Sequence, residues 1–259
     1  MVALMGIINL TPDSFWASSR VEDPASLDAA IGEMVRSGAS VIDLGAVSTR
    51  PGASPVSEED EWERLERALA AMRCSVRLSI DTTRSSIIRR VHGFLARNCG
   101  TAFASTLIVN DISAGEEDDE MLGTVAELGL TYIAMHKRGT PQTMDSLTSY
   151  EPDVVAAVAD YFCEFGDRAA KAGVKDWILD PGFGFAKTEE QNLMLLHRLD
   201  EFGLFGRPVL AGISNKRFTR GSTEALQLEA ARRGASILRV HDVEACAGTL
   251  AGAGIRISK

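Results

Sequence analysis

The chain has 259 residues, of which 45% are apolar and 6% aromatic, and its 27 basic and 36 acidic side chains leave a formal net charge of −9. This composition is typical of a globular protein, and a length near 260 residues (about the usual size of one (β/α)8 barrel) can bury a large core. The negative charge argues against a general binding surface for nucleic acid or an anionic membrane, since both require clustered positive charge.

Short runs rich in β-branched residues alternate with amphipathic helical segments along the whole chain, and no linker or change of composition divides it. Ser57 and Asp60 predict the start of one helix, and Gly173 predicts the end of another. Eight consecutive strand and helix units favour a single (β/α)8 TIM barrel domain over residues 1–259, although a doubly wound open sheet would give the same local signals. The eight candidate strands are 3–8, 40–44, 77–80, 105–109, 131–134, 176–179, 207–210 and 236–239.

The amino terminus and the cysteines bear on location. Pro12 and Asp13 interrupt the first apolar segment before it reaches secretory or membrane-spanning length. The four cysteines are widely spaced and contain no CxxC pair: Cys74, Cys99, Cys163 and Cys246. This spacing predicts buried reduced thiols rather than a zinc site or a disulfide framework. A cytoplasmic protein without a membrane partner is therefore expected.

Polar residues follow nearly every candidate strand, where a (β/α)8 barrel builds its active site. Asp81, Asn110, Asp180 and Lys216 would point into an apolar barrel mouth, where an unpaired polar group costs about 1–3 kcal/mol. Together they suit a flat heterocycle with ring N–H, amino and carbonyl groups, although each alone could be a strand-end residue satisfied by the backbone. The full set is Asn9, Ser48, Thr49, Arg50, Asp81, Asn110, Asp111, His136, Asp180, Ser214, Lys216, Arg239 and His241.

Two further features concern phosphate groups. Arg50, Arg239 and His241 follow strands two and eight and would form a phosphate-sized basic cluster, unless either arginine pairs with a nearby acid. The segment DPGFGF at 180–185 lacks the glycine spacing of a dinucleotide-binding fingerprint, so it does not predict NAD binding.

Eight motifs together resemble the dihydropteroate synthases, the folate-pathway enzymes targeted by sulfonamides. The resemblance implies a (β/α)8 fold, usually in a homodimer. It also implies that 6-hydroxymethyl-7,8-dihydropterin pyrophosphate and p-aminobenzoate are joined, with Mg2+, to give 7,8-dihydropteroate and pyrophosphate. The motifs are MGIINLTPDSF at 5–15, STRPGA at 48–53, IDT at 80–82, NDIS at 110–113, MH at 135–136, LDPGFGF at 179–185, GISNK at 212–216 and RVHDV at 239–243.

The resemblance also assigns catalytic roles to Asp81, Asp180, Lys216 and Arg239. It implies that pyrophosphate leaves first and that the two carboxylates then offset the positive charge on the pterin. It places the pterin ring against Asp81, Asn110, Met135, Asp180, Phe185, Lys216 and Arg239. It places the pyrophosphate against Asn9, Thr49, Arg50, Arg239 and His241, with Asn9 also binding the metal. It places p-aminobenzoate against Phe15, Thr49, Pro51, Phe185, Lys216 and Arg217.

Several positions depart from the common family pattern, mostly on the p-aminobenzoate side. The first loop continues with residues 16–19, WASS, without the usual aspartate; Val47 stands in place of a glutamate, Asn215 in place of an arginine and Arg217 in place of a serine. The stretch 216–239 is also short, either because the seventh unit is trimmed or because a loop is missing. A pterin-binding paralogue without turnover is one alternative. The other is a corrinoid-linked methyltetrahydrofolate methyltransferase, which would not need Arg50, Arg239 and His241.

Overall fold

A computed structural model of the chain describes residues 1–10, 24–47, 56–140, 142–214 and 216–258, and the side chains of Pro24 and Ala25 are outside it. The described residues form eight parallel strands that follow the eight predicted ones, and a ninth, short strand that the sequence did not predict. The fourth strand begins later than expected, because 105–107 still belong to the turn after a helix, and the seventh shares only residue 210 with the predicted 207–210. The strands are β1 (Val2–Asn9), β2 (Ala39–Gly45), β3 (Arg77–Asp81), β4 (Ile108–Asp111), β5 (Thr131–Met135), β6 (Trp177–Asp180), β7 (Leu210–Ala211), β8 (Ile237–Val240) and β9 (Ile257–Ser258).

The strand order is that of a barrel rather than an open doubly wound sheet. Each strand from β1 to β5 pairs in parallel with the next, β8 pairs with both β1 and β7, and β9 adds to the beginning of β1. Between β6 and β7 the ring is closed by one parallel bridge, in which the Leu179 amide donates to the Pro208 carbonyl at 3.0 Å. The predicted (β/α)8 TIM barrel is thus confirmed.

Helices surround the barrel, and their ends follow the predicted signals. Ser57 Oγ accepts a hydrogen bond from the Asp60 amide at 3.1 Å, and Gly173 ends the longest of the described helices in a left-handed conformation, with φ of 86°. Among the described residues, no helix combines the length and the apolar character that a bilayer crossing demands. The helices are α1 (Pro24–Arg36), α2 (Glu58–Ala71), α3 (Ser85–Cys99), α4 (Thr101–Ala104), α5 (Met121–Leu128), α6 (Val154–Ala172), α7 (Glu189–His197), α8 (Thr223–Arg232) and α9 (Val243–Gly252).

Apolar side chains fill two regions. The larger lies between the strands and the surrounding helices, and the smaller lies inside the barrel. This interior layer closes the barrel below its carboxyl-terminal mouth, so a ligand could enter only from that end. Its fully buried members are Met5, Val41, Ile108, Ile133, Ile178, Leu210 and Ile237.

The seventh unit is short in the structure itself. A single turn at Arg217–Thr219 follows β7, and the ten-residue helix α8 leads directly to β8. Every position from 216 to 240 is described, so this short unit is continuous in the structure.

The prediction that the cysteines are buried reduced thiols is wrong for three of the four. Cys74, in the loop after α2, and Cys99, at the end of α3, form a disulfide with a Cα to Cα distance of 5.8 Å. Cys163 is an exposed free thiol, and Cys246 is a buried one. The two paired residues are 25 apart in sequence, and wide spacing alone does not reveal that a loop and a helix end meet in space. The pairing therefore removes the cysteine-based argument for a reducing compartment.

Candidate active site

A layer of polar side chains lies inside the barrel directly above the apolar interior layer. Alternate residues of a strand point to the same face of the sheet, so the positions two residues beyond the interior apolar ones also point inward. This pattern explains why the polar groups converge at the carboxyl ends of the strands, as the sequence predicts. The layer includes Asp43 on β2, Asp81 on β3, Asn110 on β4, Asp180 on β6 and Arg239 on β8, and the apolar Met135 occupies the same position on β5.

Arg239 is held between two carboxylates of this layer. Its Nε donates to Asp43 Oδ2 at 2.7 Å, and its Nη2 lies 2.6 Å from the same oxygen and 2.7 Å from Asp81 Oδ2. Burial opposes the charge of the guanidinium, but Asp43 and Asp81 outweigh it and raise the pKa of Arg239. Arg239 therefore stays charged. It pairs with nearby acids, which was the alternative to phosphate binding that the sequence left open for this arginine. Its Nη1 group makes no hydrogen bond to the described residues, which leaves two donors for a ligand.

Asp43 is a site residue that the sequence reasoning missed. Its side chain is fully buried, and its Oδ2 also accepts from Asn110 Nδ2 at 3.1 Å. The predicted candidates were the first polar residues after each apolar run, whereas Asp43 lies inside the run VIDLG. An acidic residue at an inward-facing position of a buried strand was the signal that could have found it.

Two carboxyl groups of the layer, Asp81 and Asp180, have raised pKa values. Burial raises the pKa of Asp81 to about 7, against the opposing effect of Arg239, and the charges of Asp43 and Asp111 raise it further. Burial also raises the pKa of Asp180, opposed by the Gly182 amide and by Lys216. A ligand that brings N–H donors or positive charge would therefore favour the ionised carboxylates.

The segment 180–185 after β6 folds back tightly on the barrel mouth. The Gly182 amide donates to Asp180 Oδ1 at 2.8 Å and fixes that carboxylate. A Cβ at Gly182 would lie 1.9 Å from the His136 carbonyl oxygen, and φ is +71° there, so only glycine fits. Phe185, at the end of this turn, is half-buried, with its ring centre 4.5 Å from Lys216 Nζ.

Lys216 reaches the same mouth from the loop after β7. Its aliphatic stem lies against Gly184, where an added Cβ would be 3.0 Å from Lys216 Cδ. Burial and the nearby charge of Arg239 lower the pKa of Lys216 to about 8, in spite of Asp180 and Asp81. The ammonium is therefore a short-range donor that an acceptor on a bound ligand would stabilise.

A second buried lysine, Lys187, supports the turn from behind and was not predicted. Its Nζ lies 3.0 Å from His136 Nδ1 and donates at 3.0 Å to the carbonyls of Gly182 and Phe185. Burial lowers the pKa of Lys187 to about 7. Burial, together with the charge of Lys187, lowers the pKa of His136 to about 2, so the imidazole is neutral. This pair holds the turn rather than facing the mouth as a basic group.

The other predicted site residues are placed as follows. Asn9 ends β1 beside Gly45, where an added Cβ would lie 3.7 Å from both Asn9 Oδ1 and Asp81 Oδ2. His241 Nδ1 lies 3.2 Å from Ser214 Oγ. Arg217 has an 88% exposed side chain and points to Asp145 at 3.5 Å, away from the mouth. Phe15, Thr49, Arg50 and Pro51, together with the departures at 16–19 and 215, lie outside the described residues.

Sequence comparisons agree with this arrangement. The family described as pterin binding enzyme matches residues 5–241. A dihydropteroate synthase of Synechocystis sp. is 40% identical, covering 94% of this chain and 86% of the relative. The dihydropteroate synthase of Escherichia coli K12 is 38% identical, covering 93% and 86%.

Solved structures share the fold over nearly the whole chain. The Yersinia pestis dihydropteroate synthase, solved with a sulfonamide drug complex, matches with a TM-score of 0.84 at 33% identity, covering 98% of this chain and 93% of that one. The Thermus thermophilus enzyme in complex with 4-aminobenzoate matches with a TM-score of 0.78 at 35% identity, covering 97% and 93%. These matches leave no room for the corrinoid-linked methyltransferase alternative. With its barrel, its polar layer and these relatives, the chain belongs to the dihydropteroate synthases, transferases of the pterin-binding enzyme family.

Proposed function

We propose that the barrel mouth joins 6-hydroxymethyl-7,8-dihydropterin pyrophosphate to p-aminobenzoate and releases 7,8-dihydropteroate and pyrophosphate. In this reaction the carbon–oxygen bond to pyrophosphate breaks, a carbon–nitrogen bond to the amine forms, and the amine loses one proton. The observation that supports the proposal most directly is the polar layer, in which Asp81, Asn110, Asp180, Lys216 and Arg239 meet above a closed apolar floor.

The layer offers what a pterin ring requires. Asp180 and Asp81 can accept from ring N–H and amino groups, Lys216 can donate to a carbonyl, and Asn110 can do both. Arg239 presents its planar guanidinium at the mouth, and its side chain is 22% exposed there. A flat ring can stack on such a group. Met135 and Phe185 would supply apolar contact beside the ring.

We propose that the carbon–oxygen bond breaks before the amine attacks. The positive charge that then develops on the pterin would be offset by Asp180 and Asp81, which are buried and therefore act at short range with little screening. The leaving pyrophosphate would meet the two unused Nη1 donors of Arg239 and the imidazole of His241. Thr49 and Arg50 would complete this set.

Asn9 is the residue that we propose to hold Mg2+. Its Oδ1 lies at the carboxyl end of β1, 3.7 Å from where a Cβ added at Gly45 would be, and neutral or anionic oxygen atoms are the ligands that Mg2+ prefers. Mg2+ usually takes one or two protein ligands and completes its shell with water and substrate phosphates, so a single amide oxygen suits it. When bound, the ion would neutralise charge on the leaving pyrophosphate.

We propose that p-aminobenzoate lies between Phe185, Lys216 and the first two loops. Phe15, Thr49, Pro51 and Arg217 belong to this proposal as the resemblance implies, and Arg217 would have to leave Asp145 to reach the carboxylate. Inhibition by sulfonamides, a homodimer and a cytoplasmic location are also proposed, by analogy with the family.

The proposal is tested by pterin binding, measured as quenching of pterin fluorescence. Asp180→Asn removes the charge that would hold the ring N–H groups, so binding should be lost. Asp160→Asn, an exposed position on α6, is the matched control and should bind like the parent protein. Normal binding by Asp180→Asn would show that the carboxylate does not hold the pterin.

A further inference from the structure

Asp43 directs all of its hydrogen bonds within the described residues to two members of the proposed pterin site. Its Oδ2 accepts from Arg239 Nε at 2.7 Å and from Asn110 Nδ2 at 3.1 Å, and Arg239 Nη2 lies 2.6 Å from the same oxygen. Its other oxygen, Oδ1, is buried and has no hydrogen-bond partner among those residues. The carboxylate therefore links β2 to β4 and β8 through side chains that face the ligand.

These contacts determine which atoms the two partners leave for a ligand. Asn110 turns its Nδ2 toward Asp43, where Oδ2 accepts from it at 3.1 Å, and this leaves the Asn110 Oδ1 for donors on the ring. In Arg239, Nε and Nη2 are occupied by carboxylates, so the Nη1 donors and the flat face remain. One buried oxygen thus sets the donor and acceptor pattern of two binding groups.

Glu61 is a buried carboxylate with a structural role, and its hydrogen bonds can be compared with those of Asp43. Its Oε1 accepts from Thr82 Oγ1 at 2.6 Å and its Oε2 from Arg84 Nη1 at 2.5 Å, so both oxygens are used to join α2 to the end of β3. Asp43 uses one oxygen, and only toward proposed ligand-binding groups. Because a buried charge is costly and apolar packing often replaces it without loss, a role in the site accounts better for Asp43.

We propose that Asp43 is a positioning residue, which orients the Arg239 guanidinium and the Asn110 amide for the pterin without touching the pterin itself. The inference rests on the proposed function, since it concerns the same site. It predicts an effect on pterin affinity that is separate from any effect on folding, because the two oriented groups bind the ring while Asp43 contacts only those two groups.

The test compares Asp43→Asn with Glu61→Gln, a matched loss of one buried charge. Binding of the dihydropterin is followed by fluorescence, the two KM values by steady-state assay, and stability by thermal unfolding. For Asp43→Asn we expect dihydropterin binding weakened roughly 10- to 100-fold, as expected for misplaced binding groups, with a matching rise in the KM for the pterin pyrophosphate. The KM for p-aminobenzoate should change less than about twofold, because Asp43 bonds only to groups on the pterin side. Glu61→Gln should lose stability and keep its pterin affinity.

Each outcome of this test either supports or overturns the positioning role of Asp43. Unchanged pterin affinity in folded Asp43→Asn, or an equal loss in Glu61→Gln, would overturn the proposal. If Asp43→Asn does not fold, a crystal structure of the parent protein with bound pterin decides instead: Arg239 and Asn110 should keep their bonds to Asp43, and their departure would contradict the positioning role. Absence of pterin binding by the parent protein would refute the proposed function, which is a different result.

Discussion

Replacing Arg239 with alanine would leave the buried Asp43 and the half-buried Asp81 without their cation. In the parent protein the guanidinium makes three N to O contacts of 2.6 to 2.7 Å, two with Asp43 and one with Asp81. Removing one partner of a buried ion pair costs about 3–5 kcal/mol, because the other charge stays buried and unpaired. Asp43 is fully buried, so the upper part of that range applies. For a domain of this size a cost of about 4–5 kcal/mol corresponds to a fall in Tm of roughly 8–20 °C.

The loss should depend on pH. Burial already raises the pKa of Asp81 to about 7, and removal of Arg239 takes away the charge that opposes this rise. A carboxyl group whose folded pKa is raised binds its proton more tightly in the folded state, so stability falls as pH rises from the unfolded value, near 4, through the folded one. The penalty of Arg239→Ala should therefore be larger at pH 8 than at pH 5.

Urea unfolding of the parent protein and Arg239→Ala at the two pH values measures this difference. The double variant Asp43→Asn/Arg239→Ala is the control, and it should be more stable than Arg239→Ala at pH 8, because one unpaired charge has gone. A penalty below about 1 kcal/mol, the size of a surface ion pair, or a double variant no more stable than the single one, would refute the reasoning.

Two further predictions concern the turn after β6. Gly182→Ala should leave little folded protein, because the added Cβ would meet the His136 carbonyl oxygen at 1.9 Å with φ at +71°; a Tm within about 2 °C of the parent, less than 1 kcal/mol, would contradict this. Lys187→Met keeps an unbranched side chain that is one atom shorter, but leaves the carbonyls of Gly182 and Phe185 and the His136 ring without their donor. It should lower stability by about 1–3 kcal/mol and weaken pterin binding, measured by urea unfolding and fluorescence.

Features that follow from the order of residues along the chain could be predicted from the sequence. The strands repeat with regular spacing, and polar residues at their ends meet in space once the strands form a barrel, so Asp81, Asn110, Asp180 and Arg239 could be found without coordinates. The resemblance to a family supplied the chemistry, since neither spacing nor composition distinguishes one heterocycle from another.

Features that depend on packing could not be predicted in the same way. Asp43 lies inside an apolar run, and only the alternation of a strand whose position in the sheet is known shows that it faces the mouth. Lys187 follows the 180–185 turn as an ordinary surface residue would, and its burial depends on how that turn folds back. The contact between Cys74 and Cys99 requires a loop and a helix end to meet, which no local signal encodes.

The central claim is that this barrel mouth couples the two substrates, and product formation tests it most directly. The chain is incubated with 6-hydroxymethyl-7,8-dihydropterin pyrophosphate, p-aminobenzoate and Mg2+, with Asp180→Asn as the inactive control, and both products are quantified. We expect pyrophosphate and 7,8-dihydropteroate to appear in equal amounts with the parent protein. Pterin bound without any dihydropteroate would contradict it and identify the chain as a binding protein that does not turn over.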